Sequence, residues 1–135
     1  MLQSKYLFLS LLCLLAPLRL HAQFMDYGSD PARFKWNIAK LPHYDLVYPQ
    51  GNDSMAYRYA LFLENVYPHM SKTIGKPIKA RFPVILHPAS MQSNGMVSWA
   101  PRRMELITTP SSDLSTQSWD KHLVLHESRH VFQTG

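Results

Sequence analysis

Three side chains near the end of the sequence have the types and the spacing of a zinc site. His126 and His130 lie four residues apart, and Glu127 directly follows the first of them. On a helix, residues four apart share one face, so the two imidazoles can bind one Zn²⁺ at about 2.0–2.1 Å per nitrogen. Glu127 can then accept a proton from a water that the metal activates. The pattern His-Glu-x-x-His therefore indicates a zinc hydrolase, and chance produces it in about one chain of this composition in a hundred.

The residues around this motif predict the helix that must hold it. Apolar residues fill positions 123–125 and 131–132, and neither Gly nor Pro interrupts the stretch from Trp119 to Gln133. We therefore expect a mostly apolar, buried helix, with N-cap residues supplied by the Ser, Thr and Asp of residues 110–116. The alternative is a buried helix whose two histidines only form hydrogen bonds. That alternative is unfavourable, because two histidines and a glutamate would be buried without a ligand.

The ligand set of such a site is incomplete in this sequence. A catalytic zinc site usually has three protein ligands and keeps a fourth position open for water. Only residues 131–135 follow His130, so we expect the sequence to be the N-terminal piece of a longer protein whose C-terminal lobe supplies the third ligand. His122 and His126 are a second pair at the same four-residue spacing. This pair is the weaker candidate for zinc ligands, because no carboxylate lies between the two residues to act as the base.

The first 22 residues predict a secretory signal peptide. Lys5 lies in a short N-terminal region, residues 6–16 are almost entirely apolar, and Ala22 offers a small residue before the cleavage point. The apolar run is short for a membrane span, so no stable span is expected and an uncleaved anchor is the alternative. Cleavage would also remove the single cysteine, Cys13. We therefore expect an exported protein without disulfides, in the periplasm, the cell envelope or the extracellular space.

Net charge and chain length limit the possible partners and the number of domains. The net charge of +5 includes Lys5 and Arg19, so cleavage would lower it to about +3. The basic residues are scattered, with Arg102 and Arg103 as the one adjacent pair, and this argues against nucleic acid as a partner. Residues 23–135 are long enough for one compact core, so we expect a single domain.

The pattern of this region predicts an α+β domain with a small mixed sheet of about four strands and two main helices. Apolar positions at helical spacing predict the first helix over residues 55–70, which Pro68 should end or kink. Strands are predicted over residues 44–48, 81–88, 96–100 and 103–109.

Pro101 predicts a hairpin between the last two strands, which would place residues 96–100 near a sheet edge. An extended peptide could pair with such an edge beside the motif helix. His43 is expected to be a surface or strand-end residue. His87, at the end of a predicted strand, could face the site, but a structural role is favoured.

This order of elements resembles the N-terminal half of a zincin metallopeptidase, and more narrowly the peptidase MA-like gluzincins found in exported bacterial proteins. The specific part of the resemblance is residues 123–133, Leu-Val-Leu-His-Glu-Ser-Arg-His-Val-Phe-Gln, whereas the upstream match is one of pattern. The resemblance implies that His126 and His130 bind Zn²⁺, that Glu127 is the general base, and that a later helix supplies a third ligand, usually Glu. It also implies that peptides or proteins are the substrate.

Three hypotheses remain open at this point. The first is a zinc metallopeptidase whose C-terminal lobe is absent, so that these 135 residues are inactive alone. The second is a non-catalytic, zincin-like binding module of the cell envelope. The third is a gene fragment whose product does not fold, because its last helix lacks a covering lobe.

Overall fold

Five strands and two helices make up the part of the chain that is described by a computed structural model, which covers residues 30–74, 77–110 and 118–133. The elements run in the order β1 (Trp36–Lys40), β2 (Tyr44–Pro49), α1 (Asp53–Ile74), β3 (Phe82–His87), β4 (Gly95–Trp99), β5 (Arg102–Ile107) and α2 (Trp119–Gln133). The α+β class and the two main helices are as predicted. The sheet has one strand more than the predicted four.

The strands form one mixed sheet in the order β1-β2-β3-β5-β4. β2, β3 and β5 are parallel neighbours, while β1 and β4 pair antiparallel with β2 and β5 at the two edges. The parallel pair β2–β3 requires a long crossover connection, which α1 provides. The prediction of a central strand within residues 81–88 is confirmed, as is that of an edge strand close to residues 96–100.

The additional strand is β1, which the sequence pattern did not predict. Its residues alternate between exposed and half-buried, and Asn37, Ala39 and Lys40 are of types that are depleted in strands. Antiparallel pairing with β2 holds it in place, with Ile38 opposite Val47. Because that pairing is a tertiary interaction, the local sequence carries little signal for this strand.

One face of the sheet and the inner sides of both helices form the hydrophobic core. Side chains from the three parallel strands are fully buried there, namely Tyr44, Leu46, Val84, Leu86, Met104 and Leu106. The helices contribute Tyr59, Leu63, Val124, Val131 and Phe132 to the same cluster. Burial of an apolar side chain of this size contributes about 1.5–3 kcal/mol, so the sheet determines where both helices lie.

Helix α1 is longer than predicted. It follows a turn at Gly51, whose φ of 87° lies in the left-handed region, and it runs through Pro68 to Ile74. The expected end near residue 70 is therefore wrong. Pro68 is exposed, whereas Met70 beyond it is buried, so burial of the last turns offsets the backbone hydrogen bond that proline removes.

Helix α2 contains the whole motif, residues 126–130. It is half-buried and not buried as predicted, because it packs against the sheet and α1 on one side only, and Leu125 on the other side is 39% exposed. An ion pair of 3.0 Å between Arg58 and Asp120 links the two helices. Most of the predicted N-cap run, residues 111–116, lies outside the described residues.

No helix within the described ranges is long and apolar enough to cross a membrane. Residues 1–22, the predicted signal peptide, lie outside those ranges.

Candidate metal centre

Helix α2 brings the two motif histidines together on its exposed side. The Nε2 atoms of His126 and His130 are 3.3 Å apart, and their ring centroids are 5.0 Å apart at an interplanar angle of 76°. Both residues are exposed, although Val131 and Ser128 beside them are buried. The one-turn spacing therefore presents two imidazole nitrogens to one point outside the helix.

The separation of these nitrogens is that of two ligands of one zinc ion. Two ligands at about 2.0–2.1 Å from a tetrahedral ion are about 3.3–3.4 Å apart, and the observed Nε2 to Nε2 distance is 3.3 Å. Neutral imidazole nitrogen is also a common ligand of zinc. The two side chains therefore fit zinc in both donor type and spacing.

Glu127 follows His126 by one residue, so it lies about 100° round the helix from it, and its side chain contacts strand β4. Glu127 is 5% exposed, whereas the two histidines of the motif are exposed. Burial raises the pKa of the Glu127 carboxyl above its ordinary value, and the charges of His126 and His130 lower it by less. A carboxyl with a raised pKa is better suited to accept and return a proton near neutral pH.

The wall against which Glu127 lies is the start of edge strand β4. A Cβ atom added to Gly95 would be 2.7 Å from Glu127 Cγ and 2.8 Å from Glu127 Oε1. The Gly95 N–H donates to Asn94 Oδ1 at 2.8 Å, and the Ile107 N–H donates to the Asn94 carbonyl at 2.8 Å. The end of β5 thus holds the strand segment that faces the motif.

His122, the weaker candidate ligand, is placed differently. Its ring lies between Trp119, at 6.1 Å, and His126, at 6.5 Å, and both contacts are stacked. The distance between the His122 and His126 rings therefore exceeds the 5.0 Å between the His126 and His130 rings. The geometry favours the pair that the motif predicts.

His43 and His87, which were not favoured as ligands, form other contacts. His43 Nδ1 is 2.6 Å from Glu64 Oε2, and its ring stacks on Tyr67. His87 lies beneath the sheet, on the face opposite to the helices, and its Nδ1 is 2.6 Å from Asp30 Oδ2. A local sequence pattern could not predict the contact between Asp30 and His87, because the residues are 57 positions apart.

Within the described residues, no group of three or more His, Cys, Asp or Glu side chains is arranged to hold a metal ion. His126 and His130 are therefore the two zinc ligands that the described residues could supply. No family model, no curated protein and no solved structure matches the chain, so the interpretation of this centre depends on its own geometry.

Proposed function

We propose that this chain forms the zinc-binding part of a zincin-type metallopeptidase, with His126 and His130 as ligands and Glu127 as the proton-transferring residue. One observation carries the proposal. Two imidazole nitrogens lie 3.3 Å apart on the same helical turn as a buried carboxyl of raised pKa. A buried carboxyl is unfavourable in a purely structural helix, whereas a hydrolase needs one beside its metal.

The chemistry divides between the metal and the protein. When bound, Zn²⁺ would supply a Lewis acid that acidifies water and polarises a carbonyl group. Glu127 takes a proton from the attacking water at a carboxylate oxygen as the new carbon–oxygen bond forms. It then passes this proton to the leaving nitrogen as the carbon–nitrogen bond breaks. The raised pKa of Glu127 supports both steps, because the same group must hold the proton and release it.

Strand β4 supports the substrate class. It pairs with β5 on one side, and within the described residues no strand pairs with its other side. Its first residue, Gly95, contacts Glu127, so the unpaired edge of β4 begins next to the candidate metal centre. An extended peptide could add to this edge through main-chain hydrogen bonds, which would hold a scissile bond in a fixed orientation.

The proposal includes a further lobe that is not among the 135 residues. It would cover the exposed side of α2, which bears Leu125, His126 and His130, and it would supply the third ligand that a catalytic zinc site needs. The same unpaired edge of β4 also favours a second candidate function, a peptide-binding module of the cell envelope that does not cleave.

Zinc binding is the first test. We expect one zinc per chain by elemental analysis, and lower affinity in competition with a chromogenic chelator for His126→Ala and for His130→Ala. Each loss should exceed the roughly 10–100-fold effect of removing an outer-shell partner. His122→Ala is the matched control, because it removes an imidazole from the same helix one turn earlier. Equal zinc binding in all four proteins would refute the proposal.

Peptide cleavage is the second test, carried out on the chain extended by its proposed C-terminal lobe. Glu127→Gln should keep its zinc and lose hydrolysis of fluorogenic peptides by about 10²-fold or more, because proton transfer contributes about 10²–10⁴-fold. Zinc and peptide binding with no cleavage by the unaltered chain would instead assign the binding-module function.

A further inference from the structure

We propose that Gly95 is a positioning residue for Glu127, because its lack of a side chain determines where the carboxyl group can stand. The catalytic consequence of this inference rests on the proposed function. The contact itself is a property of the folded chain, and it can be tested in protein that contains no metal.

The space between the two residues admits no additional carbon. A Cβ atom on Gly95 would lie 2.7 Å from Cγ, 2.8 Å from Oε1 and 2.9 Å from Cδ of Glu127. Non-bonded carbon atoms are most stable at about 3.5–4.0 Å. Even alanine at position 95 is therefore incompatible with the observed position of the Glu127 side chain.

The backbone gives no other reason for glycine at this position. Among the described glycines, the positive φ angle belongs to Gly51, and Gly95 lies in a strand that any residue type can adopt. A glycine in a strand often marks a close approach of another group. Here the approaching group is the Glu127 side chain.

A substitution at Gly95 should displace the carboxyl group and leave the strand in place. The backbone of Gly95 pairs with Leu106, and its N–H donates to Asn94 at 2.8 Å. The backbone of Glu127 is held by a helix whose neighbouring residues Val124 and Ser128 are fully buried. The Glu127 side chain is the flexible partner, since it can change rotamer.

The displacement matters because proton transfer requires the carboxylate oxygen within hydrogen-bonding reach of the reacting water. A shift of about 1 Å in a catalytic group can reduce the rate about 10²-fold. The three atoms nearest to a Cβ added at Gly95 all belong to Glu127, and none belongs to His126 or His130. Substitution of Gly95 should therefore affect proton transfer and spare zinc binding.

The kinetic experiment compares two glycines in the extended, zinc-loaded chain. Gly95→Ala should lower kcat about 10–100-fold while KM and zinc affinity stay within about twofold, because only a transition-state interaction is removed. Gly51→Ala is the matched control. Its φ of +87° makes alanine strained, but no atom lies within 4 Å of the added carbon, so stability should fall with kcat unchanged. An unchanged kcat in Gly95→Ala would overturn the inference.

The second experiment is a thermal double-mutant cycle on the metal-free chain of residues 23–135. Gly95→Ala should lower Tm by about 4 °C or more when Glu127 is present, and by much less in a Glu127→Ala background, where no side chain fills the space. Equal losses in both backgrounds overturn the contact, whatever the chain does as an enzyme. A loss confined to the Glu127 background supports the contact even if zinc or cleavage is not observed.

Discussion

The His87 ring nitrogen Nδ1 lies 2.6 Å from Asp30 Oδ2, on the face of the sheet opposite to the helices. Both side chains are buried. On the other side of the ring, His87 Nε2 is 3.6 Å from Glu105 Oε2, and Arg103 pairs with the second oxygen of that carboxylate. This network joins the segment before β1 to β3 and β5, so it fastens the start of the described chain to the sheet.

We expect this network to contribute to stability. Asp30→Asn should lower the free energy of unfolding by about 1–3 kcal/mol, because a buried hydrogen-bonded charge is removed and its partner stays buried. Asp45→Asn is the control. Asp45 pairs with Arg81 at 2.9 Å, but both side chains are partly exposed, so the effect should be about 0–1 kcal/mol. Urea denaturation of both variants decides between a structural network and an incidental contact, which would give equal effects.

Glu127 should destabilise the metal-free protein at neutral pH. Burial raises its pKa in the folded state, so the folded chain binds this proton more tightly than the unfolded chain does. The stability that protonation provides is present below the ordinary glutamate pKa and is lost as pH rises through the raised value. Glu127→Gln cannot ionise, so it should be more stable than the unaltered chain at pH 7.

The advantage of Glu127→Gln should shrink towards zero below about pH 4, where the carboxyl is protonated in both states. Denaturant unfolding at several pH values measures it. Glu64→Gln is a control of opposite sign, because the Glu64 carboxylate accepts hydrogen bonds from His43 at 2.6 Å and 3.0 Å and its loss should destabilise the fold. A pH-independent difference for Glu127→Gln would contradict the assigned burial.

The attachment of helix α2 depends on Phe132. This side chain is 1% exposed, and its ring is 5.3 Å from the Tyr67 ring of α1. Phe132→Ala should reduce the free energy of unfolding by about 3–5 kcal/mol. Leu125→Ala, on the exposed side of the same helix, should change it by about 1 kcal/mol or less.

The same unfolding curves, followed by circular dichroism on residues 23–135, test whether this chain folds without a covering lobe. We expect a cooperative transition with α+β dichroism. A spectrum without secondary structure, or no difference between Phe132→Ala and Leu125→Ala, would support the hypothesis of a fragment that does not fold.

Export is tested at the N-terminus. We expect the protein secreted by a bacterial host to begin at Gln23, since the pattern of residues 1–22 predicts a signal peptide. Intact-mass measurement identifies the first residue. Replacement of Ala22 by a large residue, Ala22→Trp, should leave the precursor uncleaved, and retention of residues 1–22 in the unaltered exported protein would favour an N-terminal anchor.

Local periodicity allowed the sequence to determine most of the elements and the identity of the candidate ligands. The one-turn spacing of His126 and His130 is a property of any α-helix, and the structure places their nitrogens 3.3 Å apart. Apolar runs and turn residues located four strands in the same way. The end of α1 at Ile74 was not predictable, because the burial of Met70 beyond Pro68 is a tertiary effect.

Only the tertiary structure determines the burial and the contacts of the motif residues. The sequence shows Glu127 between two histidines, but its burial depends on where α2 lies against β4, and the fit depends on a missing side chain at Gly95. Strand β1 and the contact between Asp30 and His87 were likewise not predicted from the sequence. The physical reason is that helical spacing acts over one turn of chain, whereas burial and strand pairing join residues that only the folded sheet brings together.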